Sequence, residues 1–273
     1  MKGKEKRDRS GRILEFDLLR GIAVILMMLD HLLYDIFSVM PMFFSDYPGK
    51  NPTALALCRA ARVYWYHPVR EGTRVAVIAV FLLLSGICCH FSKNNAKRGG
   101  RLMFLALCIT LVSFFIGCFT GDIDFMISFG ILHCIALMLL LVGLFQRIGL
   151  NRWFFLALGV ALNAVGIFFN ADLRYVSYES RPFLETLWGQ MVGKMYAGSD
   201  SCALTLFGGP ILIGVFLGET FYKERRSLIF SRYREGIVTK IGRNSLLFYV
   251  LHQALLPLLL GGILLLCGFH IGV

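Results

Sequence analysis

The sequence predicts an all-α, polytopic transmembrane helical bundle of about seven spans with its N-terminus in the cytoplasm. Three observations predict it. The chain of 273 residues is 57% hydrophobic and only 16% charged, with a mean hydropathy of +0.68, whereas soluble domains run nearer 45–50% apolar and about 25% charged. Its apolar residues fall into separate runs near the roughly 20 residues that a membrane helix needs. Its Lys and Arg residues are distributed unevenly between alternate loops.

Residues 1–12, MKGKEKRDRSGR, read as a short basic cytoplasmic tail, and 13–273 as a single transmembrane domain. Span one runs from about Ile13 to Val39. A loop from Met40 to Thr73 follows, punctuated by Pro41, Pro48, Pro52 and Pro68 and holding the cluster VYWYHPVREG. Span two is about Arg74 to Phe91, and a basic turn from Lys93 to Arg101 leads to span three, about Leu102 to Phe119. A short acidic turn carries Asp122 and Asp124. Spans four and five are about Phe125 to Phe145 and Trp153 to Phe169. Residues 170–200 are polar and mixed, with Trp188 and Tyr196 suited to a partial helix at the interface. Span six is about Ser201 to Tyr222, the basic segment from Lys223 to Arg243 follows, and span seven is about Asn244 to Gly268.

Counting Lys and Arg on this arrangement gives nineteen on the side of the tail and eight on the other, with Arg20 inside span one. Cytoplasmic loops collect basic residues, so the N-terminus is cytoplasmic and the loop with His67 faces outside. The same asymmetry accounts for the net charge of +11, and no basic patch is interleaved with aromatics, so nucleic acid is excluded as a partner. No cleavable signal peptide is expected, because the first apolar run is long and charged. The eight cysteines show no disulfide pattern and no zinc-ligand spacing, so no metal is expected.

Span one carries charge where a lipid-facing helix would not. FDLLRGIAVILMMLDHLLYDIF holds Asp17, Arg20, Asp30, His31 and Asp35. At about 100° per residue, the eleven steps from Arg20 to His31 overshoot three full turns by roughly 20°. The two side chains therefore share a stripe, about 16 Å apart along the axis, with Asp17, Met27, Tyr34 and Asp35 close to it. Lipid does not solvate a guanidinium, so the stripe faces protein, water or a ligand.

His31, His67, His133 and His252 are the histidines placed to act. Imidazole titrates near neutrality and can take a proton from a hydroxyl or amine attacking a carbonyl. For His133 and His252, a hydrogen bond to a neighbouring helix is an equal alternative. On composition alone His67 would be a surface residue. Arg20 pairs with Asp17 three residues away, or grips a phosphate bidentately. Asn244, Ser245, Tyr249, His252 and Gln253 recur at helical spacing in span seven, as inter-helix glue or as the lining of the same cavity as span one.

FDLLRGIAVILMMLDH resembles the opening of the membrane-bound acyltransferase superfamily, whose first helix carries Arg, ten residues, then His. FLLLSGICCHFSK, RGGRLMFLALCITL, ISFGILHCIALM and GRNSLLFYVLHQ, in that order, resemble the heparan-α-glucosaminide N-acetyltransferase catalytic-domain branch in a short bacterial form. The resemblance implies an inner-membrane acyltransferase. It would move an acetyl group from cytoplasmic acetyl-CoA to a sugar or glycan acceptor outside. It also implies a catalytic histidine: His67 matches that of the heparan branch, and His31 that of the acyltransferase-3 branch. The phosphates of acetyl-CoA would meet Arg20 with Lys97, Arg98, Arg101 or Arg243, and Asn244, Tyr249 or His252 would orient the catalytic group. The large outer insertions of the animal enzymes are absent, so heparan is not the expected acceptor. The oligomeric state, a homodimer included, stays open. The competing class is a proton-coupled transporter of a small anion or lipid-linked sugar, which the absence of internal repeats disfavours.

Overall fold

The computed structural model describes residues 12–49, 51–121, 125–170, 182–194, 200–230 and 235–272. The basic tail up to residue 11, Asp122, Asp124 and Tyr196 lie outside them. The described chain is helical, with one isolated antiparallel bridge between Phe44 and Ile271. Among the described residues, five helical stretches are long and apolar enough to cross a membrane: Leu14–Phe43, Asn95–Thr120, Ile131–Ile148, Leu204–Phe221 and Ser245–Leu266. The chain is thus a multi-pass membrane protein. The other two stretches expected to span are also helical, as α4 (Pro68–Ile87) and α7 (Arg152–Asn170). The first turns of α4 carry Arg70, Glu71 and Arg74, which dilute its apolar run.

The chain folds into two compact units, one of residues 1–78 and 227–273, the other of residues 79–226. In the first unit, α1 (Leu14–Tyr34) continues through a π-helical turn (Asp35–Val39) into α2 (Met40–Phe43). α3 (Pro52–Trp65), the start of α4, α10 (Ile237–Arg243) and α11 (Ser245–Leu266) complete it. The stretch expected to be a loop from Met40 to Thr73 is therefore largely helix. Proline fits the first turn of a helix, where its missing N–H has no partner to lose. Pro52 and Pro68 each sit there and start a helix rather than break one, while Pro41 falls in α2, where the helix continues from the π-helical turn. Asn51 caps α3, its side-chain oxygen accepting from the N–H groups of Thr53 and Ala54 at 3.0 and 3.1 Å.

α1 and α10 cross at backbone contact. A Cβ on Gly21 would stand 2.0 Å from the Val238 carbonyl oxygen, and one on Gly242 1.8 Å from that of Asp17. Beside this crossing Glu15 is buried and accepts from the Ser227 hydroxyl and, at 2.8 Å, from the Leu228 N–H. Its charge also suits the first turn of α1.

At the other end of α1, Val39, Met40, Phe44 and Tyr47 form a small core with Leu260, Leu264 and Phe269 packed on it. The last described residues are tied here. The Asp46 carboxylate accepts from the His270 ring and backbone N–H, both at 3.0 Å, and Gly272 N–H donates to Phe43 at 3.0 Å. The His270 ring bond and then its backbone bond hold the Asp46 carboxyl below its ordinary value. A group whose value is lowered by folding stabilises the fold above its unfolded pKa and loses that contribution as pH falls through the folded one. Amide exchange of residues 268–272, corrected for intrinsic rates, is therefore expected to stay slow near pH 6 and to speed up below the usual carboxylate range of about 4. Equal protection at both ends of that series would show that Asp46 does not hold the tail.

In the second unit, α5 (Asn95–Thr120) packs on α6 (Ile131–Ile148), and α7 packs on α9 (Leu204–Phe221). The basic turn expected before span three is thus mostly the first turns of α5. Buried Asn95 donates to the Cys89 carbonyl at 2.9 Å and to the Gln146 side chain at 2.8 Å. The end of α4 meets α9 through small residues: a Cβ on Gly86 would lie 2.0 Å from the Ile211 carbonyl oxygen, and one on Gly214 2.2 Å from that of Leu83. Such close approach is how membrane helices gain packing without a hydrophobic drive between them. α8 (Phe183–Val192) is a short helix with Trp188 exposed. None of the eight cysteines is joined in a disulfide.

Candidate functional site

The polar residues of α1 meet those of α11 within the first unit. His31 is half-buried, and its Nδ1 lies 2.9 Å from the Met27 carbonyl oxygen. His252 is buried, with Nδ1 2.6 Å from the Tyr249 carbonyl oxygen. A carbonyl only accepts, so both rings carry their neutral-state proton on Nδ1. Each Nε2 is then left with its lone pair, the form a general base needs. The rings meet edge to face, 4.7 Å between centroids and 83° apart, and Tyr249 lies 5.8 Å from His252. No partner for His252 Nε2 stands among the described residues.

One turn beyond His31, Asp35 opens the π-helical turn and is fully buried. Its Oδ1 accepts from Gln253 Nε2 at 3.2 Å, while Oδ2 has no partner among the described residues. π-helical turns concentrate at functional sites because they re-aim a side chain within an otherwise regular helix. His31, Asp35, His252 and Gln253 are thus gathered by two helices that also expose apolar side chains, Ile22, Ile25 and Leu29 of α1 and Leu251 and Leu255 of α11.

Next to His31, Asp30 is held from outside its own helix. Arg70 Nε donates to Asp30 Oδ1 at 2.8 Å and Arg70 Nη2 donates to Oδ2, a bidentate pair. The Tyr64 hydroxyl donates to Asp30 Oδ1 at 3.2 Å, and burial, then the Asp30 charge, push its pKa up, keeping it a donor. The Arg70 guanidinium stacks on Trp65, 3.6 Å from the ring centroid. Arg70 Nη1 reaches Glu71 at 3.2 Å, and Glu71 accepts from Arg74 at 2.7 Å.

His67 lies between α3 and α4, exposed. Its Nδ1 accepts from the Val69 N–H at 3.3 Å, so its neutral ring carries the proton on Nε2 and presents a donor. It also caps α4, its carbonyl accepting from the Glu71 N–H at 3.3 Å.

The remaining candidates are spread out. Asp17 is buried near the α10 crossing, 3.6 Å from Arg12, and Arg20 is half-buried one turn on. Arg243 ends α10 and pairs with Glu235 at 2.8 Å. Asn244 closes α10, its amide donating to the Lys240 carbonyl at 2.9 Å. A cleft of about 340 Å³ at this end is lined by Leu14, Leu18 and residues 235–239. Arg101 and His133 belong to the second unit. There His133 is a helix cap: Nδ1 accepts from the Gly130 N–H at 3.3 Å, and Nε2 donates to Thr110 Oγ1 at 3.2 Å. Both ring nitrogens are spent on structure. No cluster of metal-ligating side chains occurs among the described residues.

Residues 53–254, about three quarters of the chain, match the family described as heparan-alpha-glucosaminide N-acetyltransferase, catalytic. The chain belongs to this family. That places it among the membrane acetyltransferases. No curated protein and no solved structure matches it. The part that the acetyltransferase family shares includes His67, Arg70, His252 and Gln253, while α1, with Arg20, Asp30, His31 and Asp35, precedes it. In the sequence Asp30 stands out only as one of the charges in span one, and Tyr64, Trp65 and Arg70 only as members of the cluster VYWYHPVREG. The available signal was a second unexplained carboxylate in span one and an arginine three residues after His67.

Proposed function

We propose that the chain transfers an acetyl group from cytoplasmic acetyl-CoA to a sugar or glycan acceptor on the outer side of the inner membrane. The observation that carries this reading is the His31–His252 pair, in which both imidazoles hold an Nε2 lone pair inside membrane-length helices of an acetyltransferase-family chain. α4 and α7 complete seven spans, with the N-terminus cytoplasmic.

In this reading His31 is the general base. Its Nε2 takes the proton from the acceptor hydroxyl or amine as that group attacks the thioester carbonyl. The tetrahedral intermediate collapses, the C–S bond breaks, and the proton passes to the departing thiolate. His67, presenting Nε2–H, stabilises the charge that develops on the carbonyl oxygen. His252 and Tyr249 orient His31, and Asp35 orders α11 through Gln253. Arg20 and Arg243, with Asp17 beside Arg20, form the end that takes the nucleotide phosphates, a task that suits guanidinium. Arg101 belongs to the second unit and is given no contact with this end. His133, occupied as a cap, serves the fold.

Purified protein is expected to bind acetyl-CoA, whereas a proton-coupled transporter would not. Labelled acetyl-CoA supplied to membranes is expected to lose its acetyl group to an acceptor, and the His31→Ala and His67→Ala proteins to be slowed about 10²-fold or more. Parent rates in both variants would remove the assignment.

A further inference from the structure

A charged pair beside His31, Asp30 with the buried Arg70, has no part in the chemistry above. Asp30 and Arg70 are forty residues apart in the chain and belong to different helices. Both Asp30 oxygens and all three Arg70 nitrogens are engaged, and Trp65 covers the guanidinium face. Arg70 is only 8% exposed. The geometry fixes more than charge: a planar fork meeting a carboxylate at two points leaves neither helix free to rotate or slide.

What this pair joins is specific. On α1, Asp30 is the immediate neighbour of His31. On α4, Arg70 stands three residues after His67, which caps that helix. Stability alone is a poor reason for such a pair, since well-packed apolar residues of similar size commonly stabilise a buried site as well or better. Orientation is a better one.

We propose that Asp30 and Arg70 are positioning residues for acetyl transfer, holding the helix that carries His31 in register with the helix that His67 caps. The proposal rests on the functional reading above. It assigns Trp65 and Tyr64 a supporting role: one fixes the guanidinium plane, the other the carboxylate.

The test compares Asp30→Leu/Arg70→Met, which removes both charges together, with Arg70→Lys, which keeps the charge and loses the fork. Each is assayed in membranes with labelled acetyl-CoA, using the acceptors native to the membrane and added glucosamine as a probe, alongside His31→Gln and His67→Ala. Rates are taken per folded protein from detergent-extracted thermal unfolding. The double variant is expected to fold with a Tm close to the parent's. Its kcat should fall about 10–100-fold, as when catalytic groups are displaced by about an ångström, while KM for acetyl-CoA stays within about twofold. Arg70→Lys should show the same split. If either folded variant transfers at the parent rate while the histidine variants do not, the pair is merely structural and the proposal falls alone. If the histidine variants also keep the parent rate, or the parent transfers nothing, the functional reading falls and takes this one with it.

Discussion

Replacing His31 with Gln is expected to slow acetyl transfer about 10²–10⁴-fold while leaving acetyl-CoA binding near the parent level. The range is that for removing a positioned general base. The substitution is chosen because of what it keeps. A glutamine amide still donates to the Met27 carbonyl that now accepts from Nδ1 and still fills much of the space against His252. It does not take up a proton. Equal losses in kcat and kcat/KM would mean the interaction exists only in the transition state. His252→Gln is expected to have a smaller effect, since its ring is buried behind His31 and acts on it. A His31→Gln protein that transfers acetyl groups at the parent rate would move the base elsewhere, with His67 the next candidate.

The largest effect on stability is expected where α1 crosses α10. Gly21→Ala or Gly242→Ala introduces a methyl group 2.0 or 1.8 Å from a carbonyl oxygen of the opposing helix. These obstacles are backbone, so no rotamer change relieves them. Each single variant should cost about 3 kcal/mol, the upper part of the usual range for overpacking. That outweighs the gain of about 0.5–1 kcal/mol from alanine in a helix interior. The double variant should cost less than the two singles added, because separating the helices once makes room for both methyl groups. Gly72→Ala is the internal control, since nothing lies within 4 Å of its Cβ position, and it should match or exceed the parent Tm. Thermal unfolding of detergent-solubilised protein measures all four, and an unchanged Tm for Gly21→Ala would mean that α10 does not sit against α1 as described.

Legibility in the sequence followed the range of the physics. The apolar runs at 14–43, 95–120, 131–148, 204–221 and 245–266 are helices of membrane length, because burial of a backbone in lipid constrains a continuous stretch of chain. The prolines between 41 and 68 were misleading for an equally local reason. Their effect depends on whether a helix begins or continues at that point, and Pro52 and Pro68 begin one. The polar residues of span seven divided in a way that spacing did not foretell: His252 and Gln253 turn to α1, while Asn244 closes α10.

The sequence by itself determined that this chain is a helical membrane protein of the acetyltransferase family with ionisable groups inside its first span. Hydrophobic run length, helical period and ordered motifs are properties of neighbouring residues, and they survive without any fold. Only the tertiary structure decided which histidine nitrogens are basic, that His133 is spent as a cap, and that Asp30 belongs to Arg70. Those outcomes depend on which donor or acceptor arrives from another turn or another helix, and in a low-dielectric interior that single partner fixes the proton and the charge.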